Sequence, residues 1–209
     1  MNIDELFKKI EQDRAAKAAN PISYLVVGLG NPGKEYEGTR HNAGFAALDY
    51  ISAKCGASVQ KFKFDALTGE ASIGGARVLL MKPQTYMNAS GVAVSAAADF
   101  YKIAPEHVIV LCDDIAQKPG KMRIRKTGSA GGQNGLKSII GCLDSKDFNR
   151  IRIGVGDRPN REYDLADWVL SKFSADDKKL VEECFEKAYG AIELIVKGEI
   201  EKAMCAYNG

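Results

Sequence analysis

The chain has 209 residues, 45% of them hydrophobic, and its formal net charge at pH 7 is only +2. This length supports one sizeable hydrophobic core, so a single α/β domain is expected. The small net charge excludes a protein that attracts polyanions through its overall charge. A nucleic-acid partner would have to be held by local clusters of cations.

The cysteines and the N-terminus indicate a cytosolic protein. The five cysteines are widely spaced and form no C-x-x-C pair, which favours reduced, buried thiols over a disulfide framework or a zinc site. No window approaches the roughly 18 consecutive apolar residues of a membrane span, and no signal-peptide pattern is present. We therefore expect a soluble, cytoplasmic protein.

Residues 1–20 differ from the rest of the chain. Ile3, Leu6 and Phe7 have helical spacing, and the segment then becomes polar and alanine-rich. This pattern predicts a short amphipathic helical extension that precedes one domain over residues 21–209.

The body of the chain alternates strand-like and helix-like patterns. Strand-like runs occur at about residues 24–29, 66–73, 77–81, 108–111, 122–125 and 151–155, and helix-like runs at about residues 42–56, 88–100, 136–143 and 181–195. Asn42 is a candidate cap for the first of these helices, and Gly74-Gly75 forms a hairpin turn. The order predicts a single-domain, three-layer α/β/α sandwich with a mixed, largely parallel, twisted sheet.

The segment after the first strand formally matches a dinucleotide-binding motif. Residues 28–33 read G-x-G-x-x-G. In that motif the glycines open a helix, but Gly38 interrupts any helix here, and Asp49 lies inside a helix-like run rather than at a strand end. We therefore disfavour nicotinamide or flavin binding and expect no cofactor.

One histidine and one aspartate stand at positions that suit catalysis. His41 lies in a polar loop after the first strand, whereas His107 has the pattern of a surface residue. Asp113 ends a buried strand, where open α/β sheets place ligand-binding residues. A carboxylate there can accept the Nδ1 proton of His41 and orient it as a general base towards water. The alternative is that Asp113 or Asp114 merely ends a strand in a turn.

Three asparagines, Asn31, Asn88 and Asn134, stand in corresponding loops. Carboxamides donate and accept hydrogen bonds without titrating, so they suit a peptide-like substrate and a developing oxyanion. Each is also compatible with an ordinary turn or cap. Because neither G-x-S-x-G nor H-E-x-x-H occurs, a covalent serine enzyme and a zinc hydrolase are disfavoured. The remaining mechanism is direct attack of an activated water molecule on the substrate.

A basic segment suggests phosphate binding. Residues 118–126 contain five cations and no acid, and a glycine-rich loop follows at residues 128–135. Period-two spacing puts Arg123 and Arg125 on one strand face, and Arg150 and Arg152 repeat it on a later strand. Together with glycine-rich amides before a helix, this favours phosphate contacts over an ordinary solvated face.

These motifs, in this order, resemble bacterial-type peptidyl-tRNA hydrolase. The matching segments are residues 27–33 with Tyr36, then 39–44, 82–91, 113–114, 128–137 and 148–156. The resemblance implies hydrolysis of the ester between a peptidyl group and the 3′-terminal ribose of tRNA. It also implies a monomer that needs neither metal nor cofactor and contacts the acceptor stem and 3′ end of peptidyl-tRNA.

The resemblance also implies residue roles. His41 would be the general base, Asp113 its orienting carboxylate and Asn31 a third catalytic residue. The residues implied to bind substrate are Asn31, Tyr36, Tyr86, Met87, Asn88 and Asn134. Those implied to bind the tRNA 5′-phosphate are Arg125 and Arg152, with Arg123 and Arg150 as weaker candidates.

Three positions depart from the family pattern. Cys112 and Ala116 replace a histidine and an aspartate that often flank the catalytic carboxylate, and Gln133 stands where many members have histidine. These changes bear on rate and affinity more than on reaction type. The alternative function is a catalytically inactive RNA-binding homologue, like plant organelle splicing factors. It predicts damage to His41, Asp113 or the asparagines, all of which are present.

Overall fold

A computed structural model of the protein describes residues 3, 5–9, 11 and 20–208. Within the predicted N-terminal extension, residues 3, 5–9 and 11 are helical and exposed, and the remaining residues up to 19 lie outside the described part. No helix in the described residues is long and apolar enough to cross a membrane.

The described chain contains seven strands and six helices after residue 20, together with short 3₁₀ turns. The strands are β1 Tyr24–Gly28, β2 Lys61–Lys63, β3 Ala66–Ile73, β4 Ala76–Pro83, β5 Val108–Asp114, β6 Met122–Arg125 and β7 Asn149–Gly154. The helices are α1 Ala43–Lys54, α2 Ser90–Tyr101, α3 Asn134–Leu143, α4 Leu165–Leu170, α5 Ala175–Val196 and α6 Ile200–Tyr207. The sequence patterns missed β2, α4 and α6, which are short.

The strands form one sheet in the order β2-β3-β4-β1-β5-β7-β6. The four central strands β4, β1, β5 and β7 run parallel to one another. The outer strands β2, β3 and β6 are antiparallel to their neighbours. The predicted mixed sheet is confirmed, with its parallel part confined to the centre.

Helices cover both faces of the sheet. On one face α1, α5 and α6 pack on the strands, and Leu48, Ile51 and Ile192 are fully buried there. On the other face α2 and α3 bury Val94 and Ile139. The two apolar cores make a three-layer α/β/α sandwich, which confirms the predicted fold class.

The connections around β1 create a crevice. After β1 the chain crosses through α1 to β2, β3 and β4 on one side, and after β4 it crosses through α2, on the opposite face, to β5. Open α/β sheets bind ligands at the carboxyl ends of strands where the connections diverge in this way. The loop after β1 carries His41, and β5 ends at Asp113 and Asp114. The fold therefore brings these residues together at the carboxyl-terminal edge of the parallel strands.

A close backbone approach fixes the start of α1. The N–H of Leu29 donates to the carbonyl of Leu111 at 2.9 Å, and the N–H of Phe45 donates to the carbonyl of Leu29 at 3.0 Å. A Cβ at Gly44 would touch the Leu111 carbonyl oxygen and come within 2.6 Å of the Leu29 nitrogen. Glycine permits this contact, so the turn that carries His41 lies beside the end of β5.

We expect Gly44→Ala to lower the free energy of unfolding by about 1–3 kcal/mol or more, because the methyl group must displace backbone atoms. Gly141→Ala in α3 is the matched control. Apart from the backbone of α3, no described atom lies within 4 Å of the added Cβ. Because alanine favours a helix by about 1 kcal/mol over glycine, the control should be at least as stable as the native protein. Urea unfolding followed by circular dichroism measures both, and native stability of Gly44→Ala would contradict this account.

Candidate active site

Asn31 and Asn42 clasp the two ends of the loop that carries His41. The N–H of Asn31 donates to Asn42 Oδ1 at 2.8 Å, and Asn42 Nδ2 donates to the carbonyl of Asn31 at 3.0 Å. Both residues are buried. Asn42 occupies the N-cap position of α1, as expected from the sequence, but its side chain makes no capping hydrogen bond because the amide is used in the contact with Asn31.

His41 and Asp113 form a hydrogen-bonded pair. His41 Nδ1 lies 3.0 Å from Asp113 Oδ2. Their side chains are only 12% and 4% exposed, respectively. A carboxylate accepts, so Nδ1 carries the proton and Nε2 of the neutral ring is free to accept one. Burial acts most strongly on the pKa of His41 and lowers it, but the hydrogen bond and charge of Asp113 together raise the pKa above its ordinary value of 6.5.

A cavity of about 430 Å³ opens in front of this pair. It brings together most of the predicted site residues, namely Asn31, His41, Tyr86, Met87, Asn88, Asp113, Asn134 and Arg152. Tyr36 is the predicted substrate-binding residue that does not line this cavity. It packs edge to face against Tyr86, with ring centroids 6.4 Å apart. Tyr36 therefore supports the cavity wall.

The amide of Asn31 has a defined orientation. Its Oδ1 accepts a hydrogen bond from the backbone N–H of Met87 at 2.8 Å. Because Oδ1 is engaged, the Nδ2 group remains to donate to a substrate oxygen in the cavity that Asn31 lines. Asn88 and Asn134 also line this cavity, and both are exposed.

The opposite wall was not predicted. Leu165, Val169 and Leu170 of α4 line the cavity with apolar side chains. Arg40, the neighbour of His41, ties this wall to the loop that carries His41. Its guanidinium donates to Ser171 Oγ at 2.8 Å and lies 3.7 Å from the ring centre of Trp168. These contacts join residues about 130 positions apart, so no local pattern could reveal them.

The four arginines face each other in pairs across β6 and β7. Arg123 lies opposite Arg152, and Arg125 lies opposite Arg150. Arg123 and Arg125 are exposed, and Arg152 lines the cavity. These three remain candidates for phosphate contact.

Arg150 requires a correction. It is 1% exposed, and its guanidinium donates to the carbonyls of Ser129 at 2.7 Å and Lys146 at 3.0 Å while lying over the ring of Phe148. Its two NH₂ groups are engaged by these carbonyls, while its buried Nε has no hydrogen-bond partner among the described residues, so the guanidinium holds the glycine-rich loop on β7. The expectation that it binds a tRNA phosphate is therefore wrong for this structure.

Asp114 has different partners from Asp113. Its Oδ2 accepts from Arg152 Nε at 2.9 Å and from Gln117 Nε2 at 3.0 Å. Burial would raise the pKa of Asp114, but the hydrogen bond and charge of Arg152, together with hydrogen bonds from Gln117 and the N–H of Ala116, hold this pKa below its usual value. The Arg152 charge is therefore balanced by Asp114, and the exposed arginines carry the uncompensated charge on this surface.

The cysteines and acidic groups form no metal centre within the described residues. No group of three or more histidine, cysteine, aspartate or glutamate side chains lies close enough there to hold an ion. All five cysteines are free, but Cys142 and Cys205 are exposed, contrary to the expectation of buried thiols. Burial, helped by the charge of Asp113, raises the pKa of Cys112 to about 12, so this thiol stays protonated.

These features define a class of protein. It is an α/β/α protein in which a histidine–aspartate pair, surrounded by carboxamides, faces a crevice at the carboxyl ends of parallel strands.

Comparison with known proteins identifies the family. The sequence model of the peptidyl-tRNA hydrolase family matches residues 25–209. The peptidyl-tRNA hydrolases of a Thermoanaerobacter species and of Agathobacter rectalis are 50% and 51% identical over 186 residues, which is 89% and 88% of this chain and 100% of each relative. The crystal structure of peptidyl-tRNA hydrolase from Acinetobacter baumannii matches with a TM-score of 0.83 at 37% identity, covering 89% of this chain and 96% of that one.

The chain therefore belongs to the peptidyl-tRNA hydrolase family and is a hydrolase that acts on peptidyl-tRNA. The resemblance inferred from the sequence motifs is confirmed. The alternative of an inactive RNA-binding homologue receives no support from these matches, and the histidine–aspartate pair that it would damage is intact.

The pH dependence of turnover should follow the pKa of His41. We expect kcat/KM to fall as the pH drops through a midpoint above 6.5, because His41 must be neutral to accept a proton and its pKa is raised. Asp113→Asn removes the charge that raises this pKa while burial still lowers it. The midpoint should move to lower pH and kcat should fall by about 10²–10⁴-fold. A pH profile of both proteins measures this, and an unmoved or higher midpoint in Asp113→Asn would contradict the assigned pairing.

Proposed function

We propose that the peptidyl-tRNA hydrolase activity of this chain runs through a water molecule activated by His41. The observation that carries the proposal is the 3.0 Å contact between His41 Nδ1 and Asp113 Oδ2 beside a cavity lined by carboxamides. Asp113 holds the ring in the tautomer whose Nε2 accepts a proton and stabilises the imidazolium that results.

The proposed reaction has two steps. In the first step Nε2 of His41 takes a proton from water, and the water oxygen bonds to the ester carbonyl carbon, giving a tetrahedral oxyanion. In the second step the bond to the 3′-ribose oxygen breaks, the imidazolium protonates that oxygen, and the peptide leaves as a carboxylic acid that ionises in water. His41 returns to its neutral form.

Asn31 is the proposed oxyanion donor. Its Oδ1 is held by the N–H of Met87, which orients the amide and leaves Nδ2 to donate to the carbonyl oxygen as negative charge develops. One such donor contributes about 10²–10³-fold to kcat in comparable sites. The clasp with Asn42 holds the backbone of Asn31 in place.

We assign recognition of the peptidyl part and the terminal adenosine to Asn88 and Asn134, with Tyr86 and Met87 packing against the substrate. Asn88 and Asn134 border the cavity and also an adjoining groove of about 470 Å³ that carries Lys137. Carboxamides at this junction can form hydrogen bonds both with the peptide amides and with the edge of the adenine base, since they donate and accept.

The tRNA phosphates are assigned to the exposed side of β6 and to Arg152. Arg123 and Arg125 share one exposed face, and Arg152 joins that surface to the cavity. One guanidinium group can donate two parallel hydrogen bonds to the oxygens of a phosphate, which suits the 5′-phosphate at the end of an acceptor stem. We further propose that the enzyme works as a monomer, because one chain lines the cavity. We also propose that it needs no metal ion, since His41 is placed to activate the water, and that it acts in the cytoplasm.

The function is tested by cleavage of N-acetyl-aminoacyl-tRNA and of the unacetylated aminoacyl-tRNA in parallel, both with a chelator present. We expect rapid cleavage of the acetylated substrate alone, because a blocked amino group imitates a peptide. Binding of either tRNA without cleavage would overturn the proposal, and loss of activity with the chelator would overturn its metal-free mechanism.

The role of His41 is tested by His41→Ala, with His107→Ala as the matched control. His107 is the other histidine of the chain, and it is exposed and packs on Tyr24 away from the cavity. We expect His41→Ala to lose at least about 10²–10⁴-fold in kcat with its fold and tRNA affinity retained. The control should keep native kcat. Near-native turnover by His41→Ala would remove this residue from the role of base.

The phosphate surface is tested by Arg125→Ala, with Lys197→Ala as a control for loss of one cation. Lys197 lies beside the turn at Gly74, at the amino-terminal edge of the parallel strands, opposite the crevice. We expect Arg125→Ala to weaken tRNA binding and to reduce the slope of log affinity against log salt by about 1. Fluorescence titration over a salt series measures both, and equal slopes for the two variants would contradict the assignment.

A further inference from the structure

Asp113 has a second hydrogen-bond partner that the proposed mechanism does not yet use. Oδ2 of Asp113 faces His41, and Oδ1 accepts a hydrogen bond from Gln133 Nε2 at 3.0 Å. Asp113 is 4% exposed and Gln133 is 7% exposed, so the contact is shielded from water. A shielded carboxylate whose two oxygens have separate donors cannot rotate without breaking one bond.

The other end of the Gln133 amide is also engaged. Gln133 is the N-cap of α3, and its Oε1 accepts a hydrogen bond from the N–H of Leu136 at 2.8 Å. Only the oxygen of the amide can accept from a backbone N–H, so the NH₂ group must be the end that faces Asp113. The helix start therefore fixes which way the amide points.

We propose that Gln133 is a positioning residue that ties the catalytic carboxylate to the first turn of α3. The amide of Gln133 holds Asp113 in the orientation that pairs with His41. The same amide caps α3 and so fixes the position of Asn134, the next residue, which lines the cavity. Because a carboxamide does not titrate, this tie is the same at every pH at which the enzyme works. The inference rests on the proposed role of His41 as the base.

A purely structural cap would give a different result from a positioning residue, and Gln133→Asn separates the two. Asparagine is a preferred N-cap, so it keeps the bond to the helix start, but it is one methylene shorter and does not reach Asp113. We expect a loss of about 10–100-fold in kcat, the range seen when an outer partner of a catalytic ligand is removed, with KM nearly unchanged. Thermal stability should equal or exceed that of the native protein.

Gln133→Glu provides a second and independent readout. Glutamate keeps an acceptor for Leu136, and its charge suits a helix N-terminus, but it replaces the donor with a carboxylate beside Asp113. The added negative charge raises the pKa of His41, so the acid limb of the kcat/KM profile should move to higher pH while kcat falls. Gln133→His restores a donor of similar reach and should recover most of the kcat that is lost in Gln133→Asn.

The three variants and His41→Ala are assayed together on N-acetyl-aminoacyl-tRNA, with folding checked by circular dichroism. Native kcat in Gln133→Asn together with an unmoved pH profile in Gln133→Glu would overturn the positioning role of Gln133. If His41→Ala is inactive in the same assay, the proposed mechanism is not affected by that result. Near-native turnover by His41→Ala would instead overturn the base assignment on which the inference rests. A kcat loss in Gln133→Asn that Gln133→His does not recover would also overturn the inference.

Discussion

The site depends on the contact between the start of α1 and the ends of β1 and β5. Gly44 has no side chain, so the first turn of α1 rests on the backbone of Leu29 and Leu111. That contact places the turn before the helix, with His41, next to the residues that follow Leu111 in β5. The 3.0 Å distance between His41 and Asp113 is a consequence of backbone packing.

The two adjacent carboxylates at the end of β5 interact with different charged or polar groups of the site. Successive residues of a strand point to opposite sides, and the partners of the two acids differ accordingly. Asp113 meets His41 and the neutral amide of Gln133, so its charge acts on the imidazole. Asp114 meets Arg152 and is neutralised by it. One carboxylate therefore acts on His41, and the other is paired with Arg152.

Much of the fold and part of the site could be predicted from the sequence. The central strands and long helices follow from hydrophobic periodicity, and the positions of His41 and Asp113 follow from the rule that open sheets bind ligands at strand ends. The clasp between Asn31 and Asn42 could not be predicted, because an asparagine before a helix has the pattern of a cap. The period-two pattern placed Arg150 and Arg152 on one face, but the loop that covers Arg150 comes from elsewhere in the chain. The wall formed by α4 and held by Arg40 depends on contacts between distant segments, which local patterns do not encode.

The central claim is that Asp113 makes His41 a neutral base with its proton on Nδ1 and a raised pKa. An NMR titration of the ring nitrogens tests it directly, since the chain has only two histidines and exposed His107 serves as an internal reference. The account predicts that His41 titrates above its ordinary value of 6.5 and is the Nδ1–H tautomer when neutral. A pKa at or below 6.5, or a neutral ring with its proton on Nε2, would contradict it.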